Sequence, residues 1–343
     1  MGIKGLNPFL KKVAPECFEK TPLETFSKKR IAIDGLNWLI TYLNTSAKRI
    51  VCEQSDILEP VSQEKIFEFL AREFIGFNTK ILNHGITPVW IWDGVSKDNK
   101  GVTKVERRKA RQKAVDRKKV LYEVLKELSH LERPQELMDE YRKLCFTTVF
   151  ISREKIEEFK IFIQDLGLPN IIADDEAENL ASSLCVEGIV SCVWSADTDT
   201  LPLGASLVGK GFDKVDNKIC LDTICIKKAL EKLEWTEEEF RDFCILLGTD
   251  FNDNLAGIGP SKAQILINKY RNLETVESST KHNCYGLKYK EVRGQLTCYK
   301  TKYNKEDLKI NKEIDKDSIE EKYREIINLQ SFLNLVVYSI DIE

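Results

Sequence analysis

Apolar and polar positions alternate along the chain in short and long blocks. Residues 29–40, KRIAIDGLNWLI, open as a brief apolar run that stops at Asp34-Gly35, as a buried strand does when it meets a turn. Within 62–83, Ile66, Phe67, Phe69, Leu70, Phe74, Phe77 and Ile81 recur at helical spacing and predict an amphipathic helix. ITPVWIWDG then reads as a second strand, closed by Asp93-Gly94. Further on, the pattern predicts a helix over 153–166, a short run at Asn170–Ala173 and a helix over 177–187. A strand over Gly188–Trp194 follows and ends at Ser195-Ala196-Asp197. Strands alternating with helices of roughly 10–20 residues make an α/β fold, a mostly parallel sheet with helices on both faces. From 236 the pattern is helical, with Thr236 as N-cap and Glu239 as its capping-box partner. NLAGIGPSKAQILINKY then reads as a helix–turn–helix. Residues 280–325 are rich in Lys, Asn and Glu with weak periodicity, which predicts a loop or loosely packed insertion.

Composition narrows the class. The chain has 343 residues, 42% hydrophobic and 31% charged, enough for one large or two medium domains and too apolar for a disordered or collagen-like chain. No apolar stretch approaches the ~20 residues of a membrane span, and MGIKGLNPFL lacks the apolar core of a signal peptide, so neither a membrane partner nor secretion is expected. The ten cysteines show no C-x-x-C pair and there are only three histidines, which predicts reduced core thiols and no zinc site. The net charge of −3 hides an uneven spread: residues 97–119 hold eleven Lys or Arg against Asp98, Glu106 and Asp116, so 11 − 3 = +8.

The candidate chemistry lies in the acids. Asp34 and Asp93 each follow an apolar run and precede a glycine; Asp197 and Asp199 follow a third run. Glu176 and Glu178 open a helix after a fourth, and Asp250 closes the segment LLGTD. Taken singly, each reads more simply as a turn or a helix cap. Together, the ends of parallel strands converge on the edge where such sheets place their ligands. Like charges about 4 Å apart repel by ~4 kcal/mol at an effective dielectric near 20, so seven clustered carboxylates need cations between them. All-oxygen ligands suit hard divalent ions, and two such ions about 4 Å apart suit phosphodiester cleavage.

Lys100 and Arg107 stand two helical turns apart beyond Asp93, and Lys104, Arg108 and Arg111 join them at helical spacing. A solvated charged helix is the plain reading of such a run. Beside an acidic cluster, the same stripe fits a phosphate backbone. Gly257-Ile258-Gly259-Pro260-Ser261-Lys262 lets backbone N–H groups approach an anion at the start of the next helix.

These segments resemble the flap endonuclease / XPG superfamily of structure-specific 5′-nucleases. The resemblance runs in order through MGIKGLNPFL, IAIDGLNWL, HGITPVWIWDG, KVERRKAR, ADDEAEN, WSADTDTLPLG and LLGTDFNDNLAGIGPSKA. It implies a PIN-like nuclease domain interrupted by a helical arch. One metal site would be built from Asp34, Asp93, Glu176 and Glu178, and a second from Asp197, Asp199 and Asp250, with Glu178 near both. Each would take Mg²⁺, or Mn²⁺ in its place. It also implies that Lys100 and Arg107 contact the scissile phosphate and that Gly2 lies against the DNA. Gly257, Gly259, Ser261 and Lys262 would form a helix–two-turn–helix element that grips duplex DNA with a K⁺ ion. The pattern departs from the family where flap endonucleases keep a base-stacking tyrosine: this chain has Ile40, flanked by Trp38 and Tyr42. Residues 120–150 look longer than a plain cap. Gln330 and Leu333 are not followed by the paired aromatics of a sliding-clamp motif, so clamp recruitment by that route is not expected.

The expected organisation is a nuclease region at 1–96, a basic arch at 97–150, an internal nuclease region at 151–235, the DNA-binding element at 236–275 and a C-terminal extension at 276–343. The expected activity is Mg²⁺-dependent cleavage of branched, flapped or nicked DNA by a monomer. Its site of action would be the nucleus (the host's, for a viral chain) or a cytoplasmic replication site. A 5′-to-3′ exonuclease of the same superfamily and a catalytically silent DNA-binding scaffold stay open as alternatives.

Overall fold

The computed structural model describes residues 2–54, 56–94, 101–298, 303–340 and 342, without the side chains of 101–108 and 110. Its centre is a seven-stranded sheet: β1 (Phe18–Pro22), β2 (Arg30–Asp34), β3 (Thr87–Trp92), β4 (Asn170–Ile172), β5 (Cys192–Trp194), β6 (Leu207–Val215) and β7 (Lys218–Cys225). The spatial order is β1-β7-β6-β5-β2-β3-β4. Strands β6, β5, β2, β3 and β4 run parallel, and β7 and β1 add antiparallel pairings at one edge.

Residue alternation divides the core between two faces. Ala32, Val89, Ile91, Val193 and Val208 join one cluster, and Ile31, Ile33, Trp90, Trp92, Cys192 and Trp194 the other. The first face is covered by α1 (Leu6–Val13), with α2 (Gly35–Cys52), α3 (Gln63–Leu82) and α6 (Arg153–Asp165) packed on the second. Between α3 and α6, α4 (Gly101–Lys126) and α5 (Gln135–Thr148) pair as the cap. α7 (Ala177–Val186), α8 (Ile226–Leu233), α9 (Glu237–Leu247) and α10 (Pro260–Tyr270) complete the first face. The cap carries a small core of its own: Leu121 and Leu125 of α4 meet Tyr141 and Cys145 of α5, together with Val51 and Leu58. Arg117 clasps Glu140 across the two helices through two 2.8 Å hydrogen bonds.

Three expectations change. The strand placed over Gly188–Trp194 is only Cys192–Trp194, because Gly188 turns at φ 73° and residues 188–191 leave α7. The hairpin β6–β7 and the edge strand β1 were not foreseen. Residues 280–325 are not loosely packed: α11 (Leu273–Ser279) leads into them, followed by α12 (Tyr289–Gln295) and α13 (Lys316–Lys322), with α14 (Leu329–Val337) beyond. Leu287, Val292, Leu308, Ile319 and Tyr323 are buried. Arg293 of α12 reaches buried Asp242 of α9 at 2.6 Å with both its Nε and its Nη2, and Glu274 of α11 at 2.6 Å.

Candidate active site

Four adjacent parallel strands, β5, β2, β3 and β4, deliver acids at their carboxyl ends. Asp34 is the last residue of β2 and the N-cap of α2; its Oδ1 accepts from the Asn37 N–H at 2.9 Å. The Asn37 side chain spans to the next strand, its Oδ1 accepting from the Ala196 N–H at 3.0 Å. That one amide fixes the end of β2 against the loop that carries Asp197. Asp93 follows β3, and its Oδ1 accepts from the N–H of Ala177, the first residue of α7, at 2.9 Å. Asp93 is thereby held at the helix end that bears Glu176 and Glu178, where the helix dipole favours negative charge. Gly94 must be glycine there, since an added Cβ would stand 2.0 Å from the Ala173 carbonyl oxygen.

Asp197 and Asp199 follow β5 and are 6% and 4% exposed. The Asp197 carboxylate accepts from the Asp199 N–H and caps a single 3-10 turn. Asp250 lies in the turn after α9, a helix whose buried Cys244 thiol is pushed up by burial and then by the charge of Asp199. The sheet thus gathers six of the seven acids on one edge and sets the seventh at the end of the adjoining helix. Among the described residues, no three acidic, His or Cys side chains converge on a single point close enough to hold one ion. The donor set is nonetheless all carboxylate oxygen, which fits hard divalent cations and not zinc.

Gly2 lies on this edge too. At φ 93°, it sits so near that an added Cβ would stand 2.3 Å from Asp197 Oδ1 and 2.3 Å from Thr198 Oγ1. The Ile3 N–H donates to that same Thr198 hydroxyl at 3.0 Å. Asn37 and Thr198 were not singled out in the sequence. The capping signal at this strand–helix junction marks Asp34 and does not reveal what the Asn37 side chain does.

The basic stripe is only partly placed. Lys100 lies outside the described residues, and so do the side chains of Lys104, Arg107 and Arg108. Arg111 is exposed, with its guanidinium 5.3 Å from the centroid of the Phe150 ring. Trp38 cannot replace a stacking tyrosine: it is fully buried, edge-on to Phe74, Phe77 and Trp90. Tyr42 stacks on that tryptophan at 4.2 Å, and burial pushes its hydroxyl up.

Between α9 and α10, Gly257 adopts φ 75°, while Gly259 is the extended N-cap of α10 and Pro260 its first residue. Among the described residues nothing lies within 4 Å of a Cβ added to either glycine, so the turn is open on that side. Ser261 and Lys262 are exposed, and Lys262 Nζ donates to the Gly257 carbonyl at 3.1 Å.

Comparison with known proteins places the chain in a family. The XPG N-terminal domain matches residues 1–114 and the XPG I-region matches residues 167–250; between them, these two stretches carry all seven acids. A flap endonuclease 1 of Entamoeba dispar is 30% identical over 322 residues, covering 90% of this chain and 80% of that protein. One of Theileria parva is 33% identical over 279 residues, covering 80% of this chain. The chain spans about half the length of that relative and of the Cryptosporidium parvum one, 52% and 56%. Among solved structures, flap endonuclease-1 from Methanococcus jannaschii superposes with a TM-score of 0.61 at 22% identity, covering 93% of this chain and 96% of that one. With its acids on the carboxyl edge of one sheet and the XPG N-terminal domain and I-region matched in order, this chain belongs to the flap endonuclease and XPG superfamily.

Proposed function

We propose that the chain is a metal-dependent, structure-specific 5′-nuclease that cleaves phosphodiester bonds at branched, flapped or nicked DNA. The observation that carries this reading is the row of acids on four neighbouring strand ends with Gly2 against Asp197. Such a row is electrostatically costly and has a use where cations and a phosphodiester meet. Asp34, Asp93, Glu176 and Glu178 would hold one Mg²⁺ or Mn²⁺. Asp197, Asp199 and Asp250 would hold the second, with Glu178 near both. Bound there, a divalent ion acidifies water and offsets charge on the leaving oxygen.

The chain's own residues supply the positioning. Asn37 keeps the ends of β2 and β5 in register, so Asp34 and Asp197 keep a fixed spacing. Lys100 and Arg107 would neutralise and orient the scissile phosphate. The 257–262 turn would hold duplex backbone without reading sequence, through N–H groups, Ser261, Lys262 and a K⁺ ion. With Trp38 buried, base stacking at the site would have to come from elsewhere than the usual tyrosine position.

The test is cleavage of a 5′-labelled double-flap DNA with and without Mg²⁺, run beside Asp197→Asn. The expected result is a metal-dependent cut near the flap base, lost in the variant while DNA binding is kept. Mononucleotide ladders from a recessed 5′ end would move the chain to the exonuclease branch. Tight binding with no cleavage would overturn the nuclease reading in favour of a scaffold.

A further inference from the structure

On the same sheet edge, beyond the acids, lies a lysine that the site above does not use. β5 and β6 pair in parallel with Trp194 opposite Gly209, so the next residue of β6, Lys210, comes level with Ser195, two residues before Asp197. Here β6 bulges: the register with β7 runs Gly209 to Thr223 and then Phe212 to Leu221. Lys210 and Gly211 together therefore face Asp222 alone. A bulge of this kind re-aims a side chain at the rim of a sheet, and bulges are frequent beside active sites.

Lys210 lines a cavity of about 320 Å³ with Lys11, Asn7 and Phe18. The acids of that cavity each stand against a lysine other than Lys210, although Asp222 Oδ1 makes no hydrogen bond of its own. Asp222 pairs with Lys20 at 2.5 Å, and Glu19 pairs with Lys228. Among the described residues, the Lys210 ammonium has no hydrogen bond and no ion pair within salt-bridge distance. Its charge is disfavoured by burial first and by Lys11 next, and supported by Asp197. Lys11 is exposed, lying over the Phe18 ring at 5.7 Å. Two cations converging on a hollow whose carboxylates stand against other lysines is an arrangement that a bound anion relieves.

We propose that Lys210 and Lys11 form a seat for a phosphate oxyanion, occupied during turnover by a non-scissile backbone phosphate of the DNA strand lying across the acidic edge. The occupant rests on the nuclease reading above; the seat rests on the bulge and the cavity. The competing role for Lys210 is that of a structural counter-ion to Asp197, which would leave its share of DNA affinity at zero.

The salt dependence of binding separates these roles. Fluorescence anisotropy of a labelled double-flap DNA is measured without divalent ions, from 50 to 200 mM KCl, for the wild-type protein, Lys210→Met and Lys210→Arg. One phosphate contact contributes about 0.9 to the slope of log K against log salt, which over that fourfold range is roughly 3.5-fold in affinity. The expected result is a slope lowered by about one in Lys210→Met and restored in Lys210→Arg, with Lys11→Gln lowering it again. Wild-type slope and affinity in a folded Lys210→Met, alongside normal cleavage by the wild-type protein, would overturn the seat and leave the nuclease standing. A second arm melts each protein with inorganic phosphate. Stabilisation by phosphate that Lys210→Met loses, in a chain that neither binds nor cuts DNA, would keep the seat as a free-anion site and overturn the nuclease reading.

Discussion

Gly2→Ala isolates the part played by Gly2 at the acidic edge. The new Cβ would lie 2.3 Å from Asp197 Oδ1 and from Thr198 Oγ1, where ordinary contact begins at 3.4 Å, so about 1.1 Å must be found by movement. Alanine at φ 93° also carries left-handed strain, about 1–2 kcal/mol. The Ile3 N–H is tied to Thr198, so relief shifts either the segment at Gly2 or the Asp197 loop, and both border the proposed metal ligands. A displacement near 1 Å at such a place costs about 10²-fold in rate. The assay is single-turnover cleavage of a flap DNA in Mg²⁺, with melting recorded in parallel. Gly188→Ala serves as the control: Gly188 has φ 73°, and among the described residues nothing lies within 4 Å of its added Cβ. That variant should pay the backbone strain in stability while cleaving normally. Wild-type cleavage by Gly2→Ala, or equal slowing by both variants, would refute the argument that Gly2 is small in order to leave Asp197 in place.

Three further outcomes are expected. Asn37→Ala removes the amide that accepts from Ala196 and leaves that half-buried N–H without its partner, at about 1 kcal/mol. Its unfolding midpoint in urea should fall, and its cleavage rate should fall further than that of a surface alanine variant of equal stability. Arg293→Met strips buried Asp242 of its partner, at about 3–5 kcal/mol; burial already pushes that carboxyl up, so Asp242→Asn on the same chain should recover part of the loss in a double-mutant cycle, and no recovery would show that the two residues are not coupled. Arg107→Ala should lower the single-turnover rate more than it raises the dissociation constant for flap DNA; a loss of affinity alone would assign Arg107 to binding.

Legibility in the sequence followed how much of each element's pattern was apolar. β2 and β3 are buried on both faces, so they appear as unbroken runs cut off at Asp-Gly, and the acids after them could be placed without coordinates. β6 and β7 are a hairpin near the sheet edge; β6 is broken by Gly209, Lys210 and Gly211, and the apolar stretch of β7 is split by Asp222-Thr223, so neither showed as an unbroken run. Their turn did leave a signal: Asp216 and Asn217 both sit at positive φ, 49° and 63°, as a two-residue hairpin turn requires. The Lys/Asn/Glu-rich stretch after 280 hid its packing because its buried residues are spread thinly over helices too short to show a period. The role of Asn37 lay out of reach for a different reason, since it bridges two strands whose adjacency the sequence does not state. The bulge at Lys210 was invisible for the same cause, because a bulge is a property of a pairing and not of one strand.

The distribution of indole rings makes the two halves of the core separately observable. Trp38, Trp90, Trp92 and Trp194 all lie in the aromatic face with α2, α3 and α6, while Trp235 alone belongs to the opposite face, its Nε1 donating to Asn268 of α10 at 2.6 Å. Ultraviolet emission from the native chain therefore reports chiefly on one side of the sheet, from rings shielded from water and close enough to exchange excitation. Subtracting the spectrum of a Trp235→Phe chain would yield the other side's signal, that of the helices next to the 257–262 turn. A single optical measurement can thus tell whether heat, denaturant or a bound duplex loosens the two sides together or one ahead of the other.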